Sequence, residues 1–92
     1  DDEVKFTTAR LCGGKALMAV SADVLDIDMD AAESYFREQG CEITSKDPMM
    51  LVFRWNDMDT TLYSQGKVMF FPLEDKQLCI KYATEILEAL VG

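Results

Sequence analysis

Residues 60–72, TTLYSQGKVMFFP, contain two short apolar runs that flank Ser64-Gln65-Gly66-Lys67. Strand-forming residues on either side of a glycine-containing turn predict a β-hairpin. Successive side chains of a strand point to opposite faces of the sheet. The hairpin is apolar on both faces, with Leu62, Val68 and Phe70 on one and Tyr63, Met69 and Phe71 on the other. The rest of the chain can cover only one of these faces. The other face would then expose large apolar side chains, which needs an explanation.

An amphipathic helix follows the hairpin, in the segment EDKQLCIKYATEILEALVG (74–92). Its apolar residues recur at the i, i+3, i+4 spacing of a helix face, and its charged residues fall between them. Glu74 and Asp75 suit the positive end of the helix dipole, and Gly92 is a candidate C-cap. The predicted apolar stripe consists of Leu78, Cys79, Tyr82, Ala83, Ile86, Leu87 and Leu90. This helix needs an apolar surface to lie on.

A second helix is predicted at residues 29–39, MDAAESYFREQ, with Gly40 as its stop. Either Asp28 or Asp30 is its N-cap. Its buried stripe is Ala32, Tyr35 and Phe36. The acidic run DIDMD that leads into it resembles the opening of a calcium loop. However, Ala31 stands where that loop needs glycine and Arg37 where it needs glutamate, so we interpret the run as an acidic helix N-terminus.

The remaining apolar segments predict strands, namely MMLVFRW (49–55), TTLYS (60–64), KVMFF (67–71) and ALMAVSADVL (16–25). Residues 1–14 leave two alternatives. Gly13-Gly14 is either a hairpin turn or an interruption of a helix that starts near Thr7. The run CGGK (12–15) lacks the ending of a phosphate-binding loop and is interpreted as a turn.

The predicted order is strand, helix, at least three consecutive strands, helix, within one domain over residues 1–92. Short connections make the strands antiparallel, and the two helices then cover one face of the sheet, which defines an α+β fold. Alternation assigns Met49, Leu51, Phe53, Leu62, Val68 and Phe70 to the helix-covered face. It assigns Met50, Val52, Arg54, Thr61, Tyr63, Met69 and Phe71 to the opposite face.

Composition excludes several classes of function. The net charge of −8 repels phosphate backbones and anionic membranes and favours basic partners. The chain has no histidine, and neither an activated nucleophile nor a carboxylate pair is visible, so we expect no enzymatic activity and no cofactor. No apolar run approaches the ~20 residues that span a bilayer.

The three cysteines, Cys12, Cys41 and Cys79, are widely spaced and have no histidine to complete a zinc site. We expect no metal, and we expect small buried thiols in a reducing, cytoplasmic environment. Because the chain begins Asp1-Asp2-Glu3, without a basic n-region, we also expect no signal peptide, although a start without Met leaves room for residues upstream.

An apolar sheet face without a cover usually marks a binding surface. We therefore predict a protein-binding module whose simplest partner is a second copy of the chain, a homodimer formed through the face or an edge of the sheet. The predicted binding residues are Met50, Val52, Arg54, Tyr63, Lys67, Met69 and Phe71. The methionines leave two interpretations. In the first, an adaptable binding surface is formed by Met49, Met50, Met58 and Met69. In the second, Met49 fills the core and Met58 lies in a loop.

The segment TLYSQGKVMFFPLEDKQLCIKYATEILEAL (61–90) resembles the second half of one repeat of the TATA-box-binding protein. Tyr63-Ser64-Gln65-Gly66-Lys67 matches the hairpin motif of that family, and Leu78, Ala83 and Ile86 match its long helix. DPMMLVFRW (47–55) falls where the family has the strand that leads into the hairpin. ALMAVSADVL falls where the repeat begins, so the resemblance covers residues 16–91 and leaves 1–14 as an extension.

The resemblance implies a curved antiparallel sheet with helices on its convex face and a concave face that enters the DNA minor groove. Pro48 and Tyr63 correspond to the wedge positions, Met69 and Phe71 to groove contacts, and Lys67 is retained. The alternative function is therefore a nucleic-acid-binding domain whose contacts are Lys67, Arg54 and Tyr63. The family prefers Phe where this chain has Pro48, and the charge of −8 opposes phosphate binding, so we expect no useful affinity for duplex DNA.

Overall fold

The structure, a computed structural model, describes residues 5–11 and 15–91, and within them the chain forms a six-stranded antiparallel sheet and two α-helices. The elements are β1 (Phe6–Leu11), β2 (Ala16–Ser21), α1 (Met29–Glu38), β3 (Ile43–Asp47), β4 (Met50–Trp55), β5 (Met58–Tyr63), β6 (Lys67–Phe71) and α2 (Lys76–Val91). The sheet is open and curved, and α1 and α2 pack on it. The predicted α+β class is confirmed.

The strand order is β1-β2-β6-β5-β4-β3, so the last strand of the chain returns to pair with β2, and β1 and β3 are the two edges. Strands β3 to β6 form a meander joined by short turns. Strand β6 pairs with β2 through Leu17 opposite Phe70 and Met18 opposite Met69. The predicted hairpin, now β5 and β6, therefore lies in the middle of the sheet.

The turn of this hairpin also holds the segment that leads into α1. Gly66 N donates to Tyr63 O at 3.0 Å, and Gly66 has a φ of +107°, a conformation that side chains with a Cβ rarely adopt. A Cβ on Gly66 would lie 3.1 Å from side-chain atoms of Leu25 and Ser21. Leu25 N and Ile27 N donate to the carbonyl oxygens of residues 65 and 64. The glycine is required both for the backbone conformation and for this close packing.

Helix α2 confirms the amphipathic pattern. Asp75 caps its N-terminus, since its Oδ1 accepts hydrogen bonds from Gln77 N at 2.9 Å and Leu78 N at 3.2 Å. The fully buried residues of its stripe are Cys79, Ala83, Ile86 and Leu87. Gly92, the candidate C-cap, lies outside the described residues.

Helix α1 resolves the choice of N-cap in favour of Asp28, whose Oδ1 accepts from Asp30 N at 3.0 Å and Ala31 N at 3.1 Å. The acidic run therefore starts a helix, as predicted. At the other end Gly40 has a φ of +86°, and Cys41 N donates to Phe36 O at 2.9 Å. Phe36 stacks on Phe53 with ring centroids 4.2 Å apart, which fastens α1 to β4.

Two segments form strands that the sequence analysis did not assign, residues 6–11 and residues 43–47. Residues 6–11 form strand β1, paired with β2, so the alternative of a helix from Thr7 is wrong; Cys12, Gly13 and Gly14 lie outside the described residues. Residues 43–47, ITSKD, form the edge strand β3, which was not predicted because its residues are polar and largely exposed. An edge strand is held by the backbone ladder of its neighbour, and its polar side chains leave no alternating apolar signal.

Two methionines were also misplaced. Met49 precedes β4 in the β3–β4 turn and is 56% exposed, so its assignment to the helix-covered face and to the core is wrong. Met58 begins β5 and is 7% exposed, so it is a core residue and not a loop residue. The other residues assigned to the helix-covered face, Leu51, Phe53, Leu62, Val68 and Phe70, are fully buried.

Candidate binding face of the sheet

The sheet face turned away from α1 and α2 is called the open face, and strand register arranges its side chains in three rows. In an antiparallel ladder, residues directly opposite each other point to the same face. The predicted binding residues Met50, Val52, Arg54, Tyr63, Lys67, Met69 and Phe71 all belong to this face by register. Most of them are half-buried against one another, and Arg54 and Phe71 are exposed.

The first row runs Val20, Lys67, Tyr63, Met50 across β2, β6, β5 and β4. Lys67 Nζ lies 5.2 Å from the centroid of the Tyr63 ring, within the range of a cation–π contact. This contact holds the ammonium group over the sheet. At the β3 edge the row is continued by Asp47, opposite Met50, so the first row combines an apolar base with one positive and one negative side chain.

The middle row runs Met18, Met69, Thr61, Val52 and has no charged member. Thr61 is buried even though no helix covers it, because its neighbours in the row are large. Met18 and Val20 extend the open face beyond the predicted residues. Sequence reasoning missed them because their position depends on the pairing of β2 with β6, some 50 residues apart along the chain.

The third row runs Phe71, Asp59, Arg54. Arg54 Nη1 lies 2.9 Å from Asp59 Oδ1, and this hydrogen bond, opposed in part by desolvation, raises the pKa of the guanidinium. The pair is neutral as a unit. Phe71 is the apolar residue of these three and is 41% exposed.

Other ion pairs lie on the opposite side of the sheet. Lys46 donates to Asp30, and its Nζ lies 3.5 Å from Glu33 Oε1. Arg37 Nη2 lies 2.8 Å from Glu33 Oε2, and this hydrogen bond is the main reason why the pKa of Glu33 is lowered. Asp30 and Glu33 are therefore paired on the helix side of the sheet, whereas on the open face Lys67 and Arg54 are balanced by Asp47 and Asp59.

The two wedge positions implied by the family resemblance are not equivalent in the structure. Tyr63 ends β5 and belongs to the first row. Pro48 lies in the exposed turn between β3 and β4, outside both strands. The structure thus places Tyr63 on the open face and Pro48 at its margin.

Burial disfavours the reactive thiolate form of Cys41 and Cys79, the two cysteines that the structure describes. Burial raises the pKa of the Cys79 thiol to about 11, and burial also raises the pKa of Cys41. Cys79 is buried as predicted, Cys41 is half-buried, and both are free. In residues 5–11 and 15–91 no cluster of three or more histidine, cysteine or acidic side chains is arranged to hold a metal ion.

No helix in the described part of the chain has the length and apolar character needed to cross a membrane. No protein-family model, curated protein or solved structure matches the chain.

Proposed function

We propose that this protein is a non-enzymatic binding module whose open face binds another protein, most simply a second copy of itself. The observation that carries the proposal is the middle row of the open face. Met18, Met69 and Val52 form an apolar strip without any charge, and the charged side chains Lys67 and Arg54 flank it in the rows on either side. An apolar centre inside a polar rim is the usual anatomy of a protein interface.

The size of the face limits the area that a dimer can bury. The six described strands, each about 4.8 Å from the next and about 20 Å long, give a face on the order of 500 Å². Stable complexes bury about 800 Å² per partner, so contact through this face is expected to be reversible, with a dissociation constant in the micromolar range.

The distribution of charge fits a face-to-face dimer. Two molecules of charge −8 repel each other, but the neutral Arg54–Asp59 pair lies at the contact, and Asp30 and Glu33 stand on the far side of each sheet. Salt screens repulsion between charges that are a Debye length apart, about 8 Å at physiological ionic strength. The dimer is therefore expected to strengthen as salt is added.

We also propose that residues 16–91 form a single TATA-box-binding-protein-like repeat, a half-saddle domain, with β1 as an added edge strand. The support is the order of elements from β2 onward, which is strand, helix, four strands, helix in the described chain. The free thiols of Cys41 and Cys79 fit a reducing, cytoplasmic environment.

The alternative function, binding of nucleic acid, is favoured by one observation: Lys67, Arg54 and Tyr63 share the open face. Against it, Arg54 is engaged by Asp59, and the position that would carry a wedge, Pro48, lies in a turn. The charge of −8 opposes the phosphate contacts that supply most non-specific affinity. We therefore rank protein binding first.

Light scattering between 1 and 500 μM, at about 50 and 500 mM salt, tests the proposal. We expect a monomer–dimer equilibrium that shifts toward dimer at the higher salt. Met69→Lys puts a charge in the middle row and should give a monomer at every concentration. Ile80→Lys, a matched change at an exposed position of α2, should leave the dimer unchanged. A wild-type protein that stays monomeric throughout would exclude self-association.

A further inference from the structure

A cleft on the helix side of the sheet is separate from the open face. It lies between the C-terminal part of α1, residues 85–89 of α2 and the β4–β5 turn, and its volume is about 350 Å³. Phe36 and Ile86, both almost fully buried, line its apolar part. Its volume is at the lower end of the range of ligand pockets, which suits one side chain or a small ligand better than a large cofactor.

Two half-buried aromatic rings, Tyr35 and Trp55, form walls of the cleft, and neighbouring rings hold both of them in place. Trp55 packs edge-to-face on Tyr82 with centroids 5.2 Å apart, and Tyr35 packs edge-to-face on Phe36 at 5.1 Å. Rings that are fixed before binding lose little conformational entropy when a ligand arrives. Such rings attract cations over their faces.

The polar groups of the cleft include three side chains with oxygen atoms that accept hydrogen bonds. Gln39 and Asn56 contribute amide groups, and Glu85 is the one charged residue in the lining that the structure describes. None of the ion pairs found in the described residues involves Glu85. The cleft therefore offers a carboxylate without a cationic partner, in a chain of net charge −8.

The backbone adds to this negative character. Helix α1 ends at Glu38, beside the lining residues Gln39 and Cys41, and the lining residues of α2 belong to the last two turns of that helix. The C-terminal end of a helix carries partial negative charge from its free carbonyl groups and favours cations. The C-terminus of α1 contributes only weakly, because the carbonyl oxygens of Phe36 and Arg37 already accept hydrogen bonds from Cys41 N and Gly40 N. The carboxylate and the aromatic faces are therefore the groups that select for positive charge in this cleft.

From this arrangement we infer that the cleft binds the guanidinium group of an arginine side chain supplied by a basic peptide segment of a partner. A guanidinium is planar, so it stacks on an aromatic ring such as Trp55, and its fork of donors matches a carboxylate such as Glu85. The remaining N–H groups of the guanidinium can donate hydrogen bonds to the side-chain oxygens of Gln39 and Asn56, which belong to the same lining. A lysine ammonium is more strongly hydrated and cannot stack in this way, which makes arginine the preferred ligand.

The experiment uses Trp55, the single tryptophan of the chain, as the reporter. Its fluorescence is titrated with three capped peptides, Gly-Arg-Gly, Gly-citrulline-Gly and Gly-Lys-Gly, at constant ionic strength. Citrulline keeps the shape of arginine but is neutral. We expect a saturable change with the arginine peptide, at least severalfold weaker binding of the lysine peptide and no saturable change with the citrulline peptide.

Matched variants locate the site. Glu85→Gln should weaken binding of the arginine peptide by tenfold or more, whereas Glu88→Gln makes the same change of charge one turn away, outside the lining, and should leave it unchanged. Tyr35→Leu removes one aromatic wall without a change of charge and should weaken binding severalfold. The inference is overturned by equal responses to arginine and citrulline or to arginine and lysine, by the absence of saturation, or by equal losses in Glu85→Gln and Glu88→Gln.

Discussion

Phe70 and Phe71 are neighbours of the same residue type, yet they belong to two different surfaces of the molecule. Phe70 is fully buried under the helices, and Phe71 on the open face is 41% exposed. Their chemistry is identical, so the difference comes entirely from the face of the sheet to which each side chain points. Hydrophobicity alone therefore does not reveal whether a strand residue stabilises the fold or is free to bind a partner.

The two faces also differ in the interactions that hold their residues. On the helix-covered face the ring of Phe70 lies 6.0 Å from the rings of both Trp55 and Tyr82, inside a continuous core. On the open face the corresponding contacts are the Lys67–Tyr63 and Arg54–Asp59 pairs, which remain accessible to water. Exposed pairs of this kind contribute little to stability. The open face is therefore where substitutions should change binding more than folding.

The largest effect is expected for Phe70→Ala, which removes a ring from the centre of the core. Loss of such a ring costs about 3–5 kcal/mol, a large share of the stability of so small a domain. Urea unfolding followed by circular dichroism should show a protein that is mostly unfolded or has a midpoint far below that of the wild type. A Phe70→Ala protein as stable as the wild type would show that the assignment of the two faces is off by one residue.

The second-largest effect on stability is expected for Cys79, a residue of α2 that is fully buried in the core. Its folded-state pKa of about 11 is above the ordinary value of 9.0, so the neutral thiol is favoured by folding. The corresponding stability is fully present below pH 9 and is lost as the pH rises through 11, a loss of about 2–3 kcal/mol. Unfolding of the wild type and of Cys79→Ala is compared at pH 8 and pH 11.

In this comparison lysine and tyrosine groups titrate in both proteins and cancel in the difference. The Cys79→Ala protein is expected to be less stable at pH 8 but to lose less stability on going to pH 11. Equal losses in the two proteins would contradict the proposed role of the buried thiol.

Phe71→Ala is the counterpart of Phe70→Ala on the open face and should separate binding from folding. Because Phe71 is 41% exposed in the monomer, the monomer should lose less than about 1 kcal/mol of stability. The dimer should weaken by about 2 kcal/mol, which is a roughly 30-fold higher dissociation constant. Thermal melts at two protein concentrations give both quantities, since only the dimer contribution depends on concentration. Unfolding of the monomer by this substitution would place Phe71 in the core.

The smallest effect is expected for Lys67→Ala in an assay of DNA binding. The wild type should show no useful affinity for an A/T-rich duplex at physiological salt, so removal of one positive charge should change nothing measurable. Fluorescence anisotropy with a labelled duplex checks this. Salt-sensitive binding below 1 μM that disappears in Lys67→Ala would favour the nucleic-acid function over protein binding.

The elements that could be predicted are those whose signals are local. The helical stripe around Cys79 and Ala83, the helix end at Gly40 and the Gly66 hairpin each depend on residues a few positions apart. The N-cap of α1 was narrowed to Asp28 or Asp30, and the structure decides for Asp28. Strand β3 could not be predicted, because its polar residues are held at the edge of the sheet by pairing with β4. Met58 was misjudged for a related reason, since it is buried only once β5 is in place.

The residues of the two candidate sites also divide into those with a local signal in the sequence and those without one. Alternation along β4, β5 and β6 was sufficient to group Tyr63, Met69 and Phe71 on one face, because period two is a property of the strand itself. The addition of Met18 and Val20 required the pairing of β2 with β6. The cleft at Trp55 and Glu85 had no signal in the sequence, because its walls come from separate elements that meet only in the folded chain.

Local signals are sufficient to predict the two helices, the hairpin and its two apolar faces, because hydrophobic period, caps and turn residues act over a few positions. The pairing of the strands, the edges of the sheet and the side chains that meet at the cleft are fixed only in the folded chain. These features depend on contacts between residues far apart in the chain, whose entropy of closure is offset by the burial of the whole core and not by any single segment.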